Sequence, residues 1–290
     1  MPTVNVTVTD KVGHTATGTV NVAVNAASAP PVLSNANMPH VVGTALVYYA
    51  GGVPQSQPLT AQADLTTSAN GQIIEGRDIN GQVTVNHSNV LIRRCRIRNG
   101  YFYCIYNAGQ GVLTVEDCEI VGPTGSSGAA AIGFTNLKLS RVNFHDSNCD
   151  GIKFGNGFVG DMLWLHDFHP VAGAHADCFQ TTGSGSSGTF VLKNSHIDPR
   201  EAGTFGLQLG DESAAIGSIT IDNCRFGANH KPIGGGYPPA HTNGDPNPYI
   251  IRNCVFDRPW NTGTKPVINY TLAHMQQSNN RDGSGVPIVL

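Results

Sequence analysis

Asp150 and Asp177 stand at equivalent places in a repeating pattern, with Lys153, His175 and Gln180 beside them in the chain. Two carboxylates held close together take split pKa values and serve as acid and base, or they bind a cation. In that arrangement Asp177 or Asp150 would work with His175 or Lys153 on a glycosidic bond, and these four are the candidate catalytic residues. Aspartates at turns also have a structural use, because Asp and Asn side chains cap a turn by hydrogen-bonding to their own backbone. The turn-capping reading of the pair is preferred, and the catalytic one stays open beside it. Tyr106, Gly133, Lys153, Gln180 and Gln208 fall into one line of the repeat. Amides, carboxylates and an aromatic ring in a row suit a hydroxyl-rich ligand, since each can hydrogen-bond to a sugar or stack on it. The candidate binding residues are Gln180, Gln208 and Tyr106, with Trp164 as a sugar-stacking ring and Arg200 as a second cation of the cleft.

A second cluster pairs His145 with Asp146 and His166 with Asp167 at matching repeat positions, with His169 and His196 close in register. The residue types would suit a metal, but a hydrogen-bonded turn ladder accounts for them better, and no metal or cofactor is expected. Trp164 lies between inward Leu163 and Leu165 and so should point outward. Trp260 either stacks on sugar or is buried near the C-terminal end.

The elements that must position these groups come from one recurring pattern. In NVLIRRCRIRNG, apolar residues fall at Val90, Ile92, Cys95 and Ile97, a spacing of two, three and two. Two short strands joined by a tight bend give this rhythm, because strand side chains alternate faces. It returns from Leu113, Leu137, Phe158 (a weaker copy with Gly160), Phe190, Ile219 and Tyr249, seven copies in all. A third strand lies between copies, with inward pairs Ile105 and Asn107, Ile132 and Phe134, Ile152 and Phe154, Phe179 and Thr181, and Leu207 and Leu209. Three short strands per repeat of this length define a parallel β-helix, in which equivalent residues form ladders along the axis. Of the seven cysteines, Cys95, Cys118, Cys224 and Cys254 share one ladder position. With no CxxC pair and an odd count, they read as a packing column rather than disulfides or a zinc site.

NVLIRRCRI, GVLTVEDCEI, NLKLSRVNF and SITIDNCRF resemble the repeats of right-handed parallel β-helix proteins of the pectate-lyase-like superfamily, over residues 70–260. HADCFQ at His175–Gln180 is similar to an H-x-D-G-I-Q-like coil of such proteins, with Cys-Phe in place of Gly-Ile. The resemblance implies the fold; for function it spans lyases, hydrolases, epimerases, phage tailspikes and noncatalytic binders. Uronate lyases of this superfamily gather acidic residues around calcium with Arg or Lys as base. The cleft here offers Lys153 and Arg200 without a dense acidic cluster, which speaks against lyase activity.

The expected organisation is a β-hairpin arm at 1–25 that looks like an immunoglobulin-like remnant, a linker at 26–35, an N-terminal cap at 36–70, the β-helix at 71–270 and a C-terminal tail at 271–290. VPIVL at the end would dock on this molecule or on a neighbour. HPVAGAHAD, DPREAGT and HKPIGGGYPPAHTNGDPNP read as insertions where a cleft would be built. Net charge is −3, from 17 Lys and Arg against 20 Asp and Glu, so no basic field attracts nucleic acid. No apolar run is long enough to span a bilayer, and MPTVNVTVTD lacks the pattern of a signal peptide. These features lead to an expected extracellular or virion-surface protein of the tail, tailspike or capsid-decoration type that contacts polysaccharide. Two strands cannot form a stable sandwich alone, so the arm implies another virion or surface protein as partner, or assembly with a homotrimer as one form. The alternative is a polysaccharide lyase or glycoside hydrolase with its site on the outward face of the third strand.

Overall fold

A computed structural model describes residues 3–9, 15–21, 37–42, 45–50, 58–98, 100–109, 111–123, 130–134, 136–155, 157–172, 176–181, 188–200, 205–209, 218–235, 249–268 and 275–290. The chain divides into Met1–Val32 and Leu33–Leu290. In the first unit Thr3–Thr9 pairs antiparallel with Thr15–Asn21, a hairpin where one was expected. In the second, Asn37–Val42 pairs antiparallel with Ala45–Ala50, and the remaining strands stack into three parallel sheets of nine, ten and nine strands. Among the described residues there is no helix, and so none long and apolar enough to cross a membrane. The protein is an all-β parallel β-helix.

Each coil adds one strand to each sheet, and the inward residues form the expected ladders. In the first sheet Ile92, Val115, Leu139, Gly160, Leu192, Ile221 and Ile251 lie in register. In the second, Ile97, Ile120, Phe144, Leu165, Ile197, Phe226 and Phe256 do so. In the third the row is Ile105, Ile132, Ile152, Phe179, Leu207 and Ile233. Gly160 interrupts the first row for a steric reason. A Cβ there would lie 2.7 Å from the Phe158 ring and 2.8 Å from Leu163, and Phe158 needs that space to stack on Phe190 at 5.1 Å.

The bend between first and second sheets has one backbone solution, repeated coil after coil. Arg94, Asp117, Arg141, Met162, Asn194, Asn223, Asn253 and Asn279 all have φ between 50° and 57°, a left-handed conformation that Asn tolerates better than most side chains. The next residue points inward, and where it is Cys its thiol donates to the carbonyl two residues back: Cys95 to Arg93 at 3.2 Å, Cys118 to Glu116 at 3.2 Å and Cys254 to Arg252 at 3.1 Å. Ser195 does the same to Lys193 at 2.6 Å. All seven cysteines are free and buried; burial pushes the Cys104 thiol up to about 12 and Cys149 to about 11. The column is therefore packing, as expected, with a weak donor that the apolar reading of Cys did not include.

The stack runs further than the expected 71–270. Thr60–Gln62 and Leu65–Thr66 already pair with the strands of the next coil, and Met275–Ser278 and Arg281–Asp282 add a last coil. Two corrections concern the third sheet. Lys231–Gly235, taken for part of an insertion, is one of its strands, aligned with Phe205–Leu209. Phe134, expected to face the core beside Ile132, follows the strand's last residue, Gly133, and is only half-buried. VPIVL docks on this molecule. Pro287 bridges Arg281, the Ile288 N–H donates to the Asn280 carbonyl at 3.0 Å, and Leu290 is buried.

Met162 is the costliest occupant of the left-handed row, having neither the short polar side chain of Asn nor the charge pairing of Arg141 with Asp117. Met162→Asn should raise unfolding free energy by about 1 kcal/mol, read by urea denaturation. A lower midpoint would mean that Met162 packs in a way the bend does not require.

Candidate functional site

On the outer face of the third sheet, parallel pairing places Tyr106 beside Gly133 and aligns Lys153, Gln180, Gln208 and Gly234. Ile132 opposite Ile152 joins the two halves, so the expected row exists in the expected order. The Gln180 amide donates to Gln208 Oε1 at 3.4 Å, and the Lys153 ammonium is 2.8 Å from Asp150 Oδ2. Neighbouring coils are about 4.8 Å apart, so the line from Tyr106 to Gly234 is about 24 Å long.

Aromatic rings close this row at both ends. Tyr103 stacks on Tyr106 with centroids 5.2 Å apart, and Phe134 meets both edge-on at 5.7 and 6.3 Å. Tyr103 lies over Gly133, where an added Cβ would sit 3.1 Å from the ring. At the other end the Phe205 ring covers Gly234, and the Lys231 ammonium sits 4.9 Å above that ring. The two glycines are the positions at which the row makes room for rings from a neighbouring coil. Tyr101, 82% exposed, and Phe102 extend the first cluster to solvent. Sequence reasoning found Tyr106 and missed Tyr103, Phe134, Phe205 and Lys231. The run Tyr101-Phe102-Tyr103 carried a signal; the ring over Gly234 carried none, because Lys231–Gly235 read as loop.

The two aspartates do not share the outer surface with this row. Asp150 is 3% exposed and Asp177 1%. Asp150 Oδ1 accepts the Asp177 N–H at 2.8 Å, and Asp177 Oδ1 accepts the Phe205 N–H at 2.8 Å. Each thus bonds the backbone of the following coil, a structural role that differs from the expected capping of its own turn. Burial pushes the Asp177 carboxyl up to about 7, against the Phe205 N–H and with help from the charge of Asp150. Its Oδ2 is buried without a hydrogen-bond partner. His175 lies outside the described residues.

Trp164 and Arg200 stand elsewhere, Trp164 on a strand of the second sheet and Arg200 just past the end of another, His196–Asp198. Trp164 faces outward as expected and stacks on His166 at 3.7 Å. Arg200 pairs with Asp167 at 2.6 Å and Asp198 at 3.4 Å, so it is not a cation of the third-sheet row. The histidine pairs align there, with the His145 and His166 rings stacked at 5.3 Å. Both nitrogens of each ring are engaged: His145 with Asp146 at 2.6 Å and Glu119 at 3.3 Å, His166 with Asp167 at 2.6 Å and Asn143 at 3.0 Å. Among the described residues no His, Cys, Asp or Glu side chains gather as a metal-binding group. Trp260 is buried against the core, with the Arg258 guanidinium 4.1 Å over its ring.

The geometry defines the class of the molecule, a parallel β-helix with an aromatic-ended polar row on one sheet. No known family model, no curated protein and no solved structure matches the chain.

Buried titratable groups give the fold a pH optimum. Burial lowers His166 to about 4, His196 to about 3 and His230 to about 4, from 6.5. Below pH 6.5 the unfolded chain binds protons that the native rings refuse, so stability is lost as pH falls towards 4. Asp177 works in the opposite direction: the native state keeps a proton that the unfolded chain loses above 3.8, so its contribution declines up to about 7. Asp198, raised by burial, and His145, which burial would lower but Glu119 and Asp146 raise, act in the direction of Asp177, and the three large histidine shifts make the acid side the steeper one. Thermal midpoints should fall markedly from pH 6.5 to 4 and decline only slightly from 6.5 to 7, and Asp177→Asn should remove its share of that second decline. A flat profile between 4 and 6.5 would contradict the buried neutral histidines.

Proposed function

We propose that this chain is a surface β-helix, extracellular or on a virion, that holds polysaccharide along the outer face of its third sheet. One observation carries the reading: the amide and ammonium groups of Lys153, Gln180 and Gln208 lie in coil register between the rings of Tyr103 and Tyr106 at one end and Phe205 at the other. Rings supply a flat apolar surface to the C–H face of a sugar, and the amides between them offer donors and acceptors for hydroxyls. The residue strings resembling pectate-lyase-like β-helices support a glycan ligand, and tailspike or capsid-decoration proteins are the members this reading favours. The N-terminal hairpin supplies the attachment, to another surface protein or within a homotrimer, since two strands need a partner to bury a face.

A second reading, cleavage of the glycan, draws on Asp177, whose carboxyl titrates near neutrality and has one oxygen unpartnered. That oxygen is buried beneath the row, so cleavage requires the strand to open, and contact without cleavage is preferred. A glycan array with reducing-end detection tests both on the same protein. Binding that falls about tenfold or more in Tyr106→Ala and in the Gln180→Ala/Gln208→Ala double variant, with no new reducing ends, is the expected result. Cleavage abolished by Asp177→Asn in a folded protein would instead make this an enzyme. Binding unchanged in the row variants would remove the row as the site.

A further inference from the structure

The outer face of the first sheet carries charges in an order that reads with opposite sign from its two ends. In register along the stack, one outward column holds Glu75, Arg93, Glu116 and Ser140 over four coils. Asp161, Lys193, Asp222 and Arg252 continue it over the next four. The column beside it is largely apolar. Ile73 is 55% exposed and Val159 43%, and Leu91, Val191 and Ile250 are half-buried. Over these eight coils its one charge is Lys138, an exposed neighbour of Val159. The two columns together carry four positive and four negative side chains.

Such an order is complementary to itself. A two-fold axis lying in this face along the strand direction, between the fourth and fifth coils, lays a second copy on the first with the stacks antiparallel. Each column then meets its own kind, and each contact is made twice. Glu75 faces Arg252, Arg93 faces Asp222 and Glu116 faces Lys193. Ser140 faces Asp161, and Lys138, opposite Val159, is one column from the same Asp161. Within one chain Glu75 already pairs with Arg93 at 2.7 Å, and Asp222 with Arg252 at 2.8 Å. Stacking these pairs head to tail gives every charge a second opposite neighbour. Glu116 and Lys193 make no ion pair in their own chain among the described residues, and the second copy supplies one. The register is selective. A slip of one coil puts Glu75 on Asp222 and Arg93 on Lys193, and a slip the other way puts Arg93 on Arg252 and Glu116 on Asp222. Like charges across an interface reject both. Eight coils at about 4.8 Å and strands of about five residues at about 3.3 Å make a face of roughly 600 Å². Two such faces bury about 1,200 Å², the lower end of the range for specific interfaces.

We propose that the outer face of the first sheet joins two copies of this chain in an antiparallel, two-fold dimer. The contact depends neither on the third-sheet row nor on the N-terminal hairpin. The test is sedimentation over a concentration series, on the full chain and on Glu116→Lys, Lys193→Glu and the double exchange Glu116→Lys/Lys193→Glu. The unaltered chain should sediment at twice its 30.5 kDa. Each single change replaces two attractive contacts with two like-charge ones, and should raise the dissociation constant about tenfold or more. The double exchange restores opposite charges and should bring it back to within about threefold. Both side chains point outward, and unchanged circular dichroism shows that the fold is kept. Should a single variant not fold, Val159→Lys, which would meet Lys138 of the second copy, should weaken the dimer in the same way. A single-chain mass at every concentration, an assembly of any size indifferent to these changes, or a double exchange no tighter than its single parents would overturn the proposal.

Discussion

Parallel pairing between one coil and the next is the constraint from which the rest of this structure follows. Once Ile92 is bonded opposite Val115, and Val115 opposite Leu139, every residue of a coil has a fixed neighbour above and below. A one-residue slip would turn each inward side chain to the surface, so the apolar rows and the hydrogen-bonded ladders enforce the same register. The left-handed residue at the bend makes this possible, because it turns the chain sharply without using a core position. Surface rows then inherit their order from the core. Lys153, Gln180 and Gln208 are neighbours because Ile152, Phe179 and Leu207 are.

The fold was legible where apolar residues occupy the repeat and illegible where they do not. The seven copies from Val90 to Phe256 could be read by spacing alone, and so could the outward row of the third strand. The first and last coils escaped notice for a physical reason: a terminal coil covers the stack and needs fewer apolar side chains. In the last one Asn280 takes the cysteine position and Asp282 aligns with Phe256. Lys231–Gly235 was hidden because Ile233 is its only large apolar inward residue, and Pro and Gly on either side imitate a loop.

The site was less legible than the fold. Periodicity assigns a residue to a face, but it does not say how far a side chain leans towards the next coil. Asp150 and Asp177 were placed at the right repeat positions, yet both turn inward to bond the following coil's backbone. Arg200 was grouped with Lys153 by charge, whereas the pairing geometry gives it to Asp167 and Asp198. The rings over Gly133 and Gly234 depend on the absence of side chains at those glycines, and the sequence pattern does not distinguish such glycines from those of turns.

The polar last coil bears on how the molecule keeps company with its own kind. A stack of identical strands offers a template at its end, and another chain could in principle add itself there without limit. Asp282 gathers hydrogen bonds from the N–H and hydroxyl of Ser284 and from the N–H of Val286. Pro287 then lies antiparallel against Arg281, on the side where a further parallel strand would have to bond. The second-sheet rim is thus occupied by a segment running the wrong way and containing a residue that cannot donate. Growth into a filament through this rim is blocked by the chain itself.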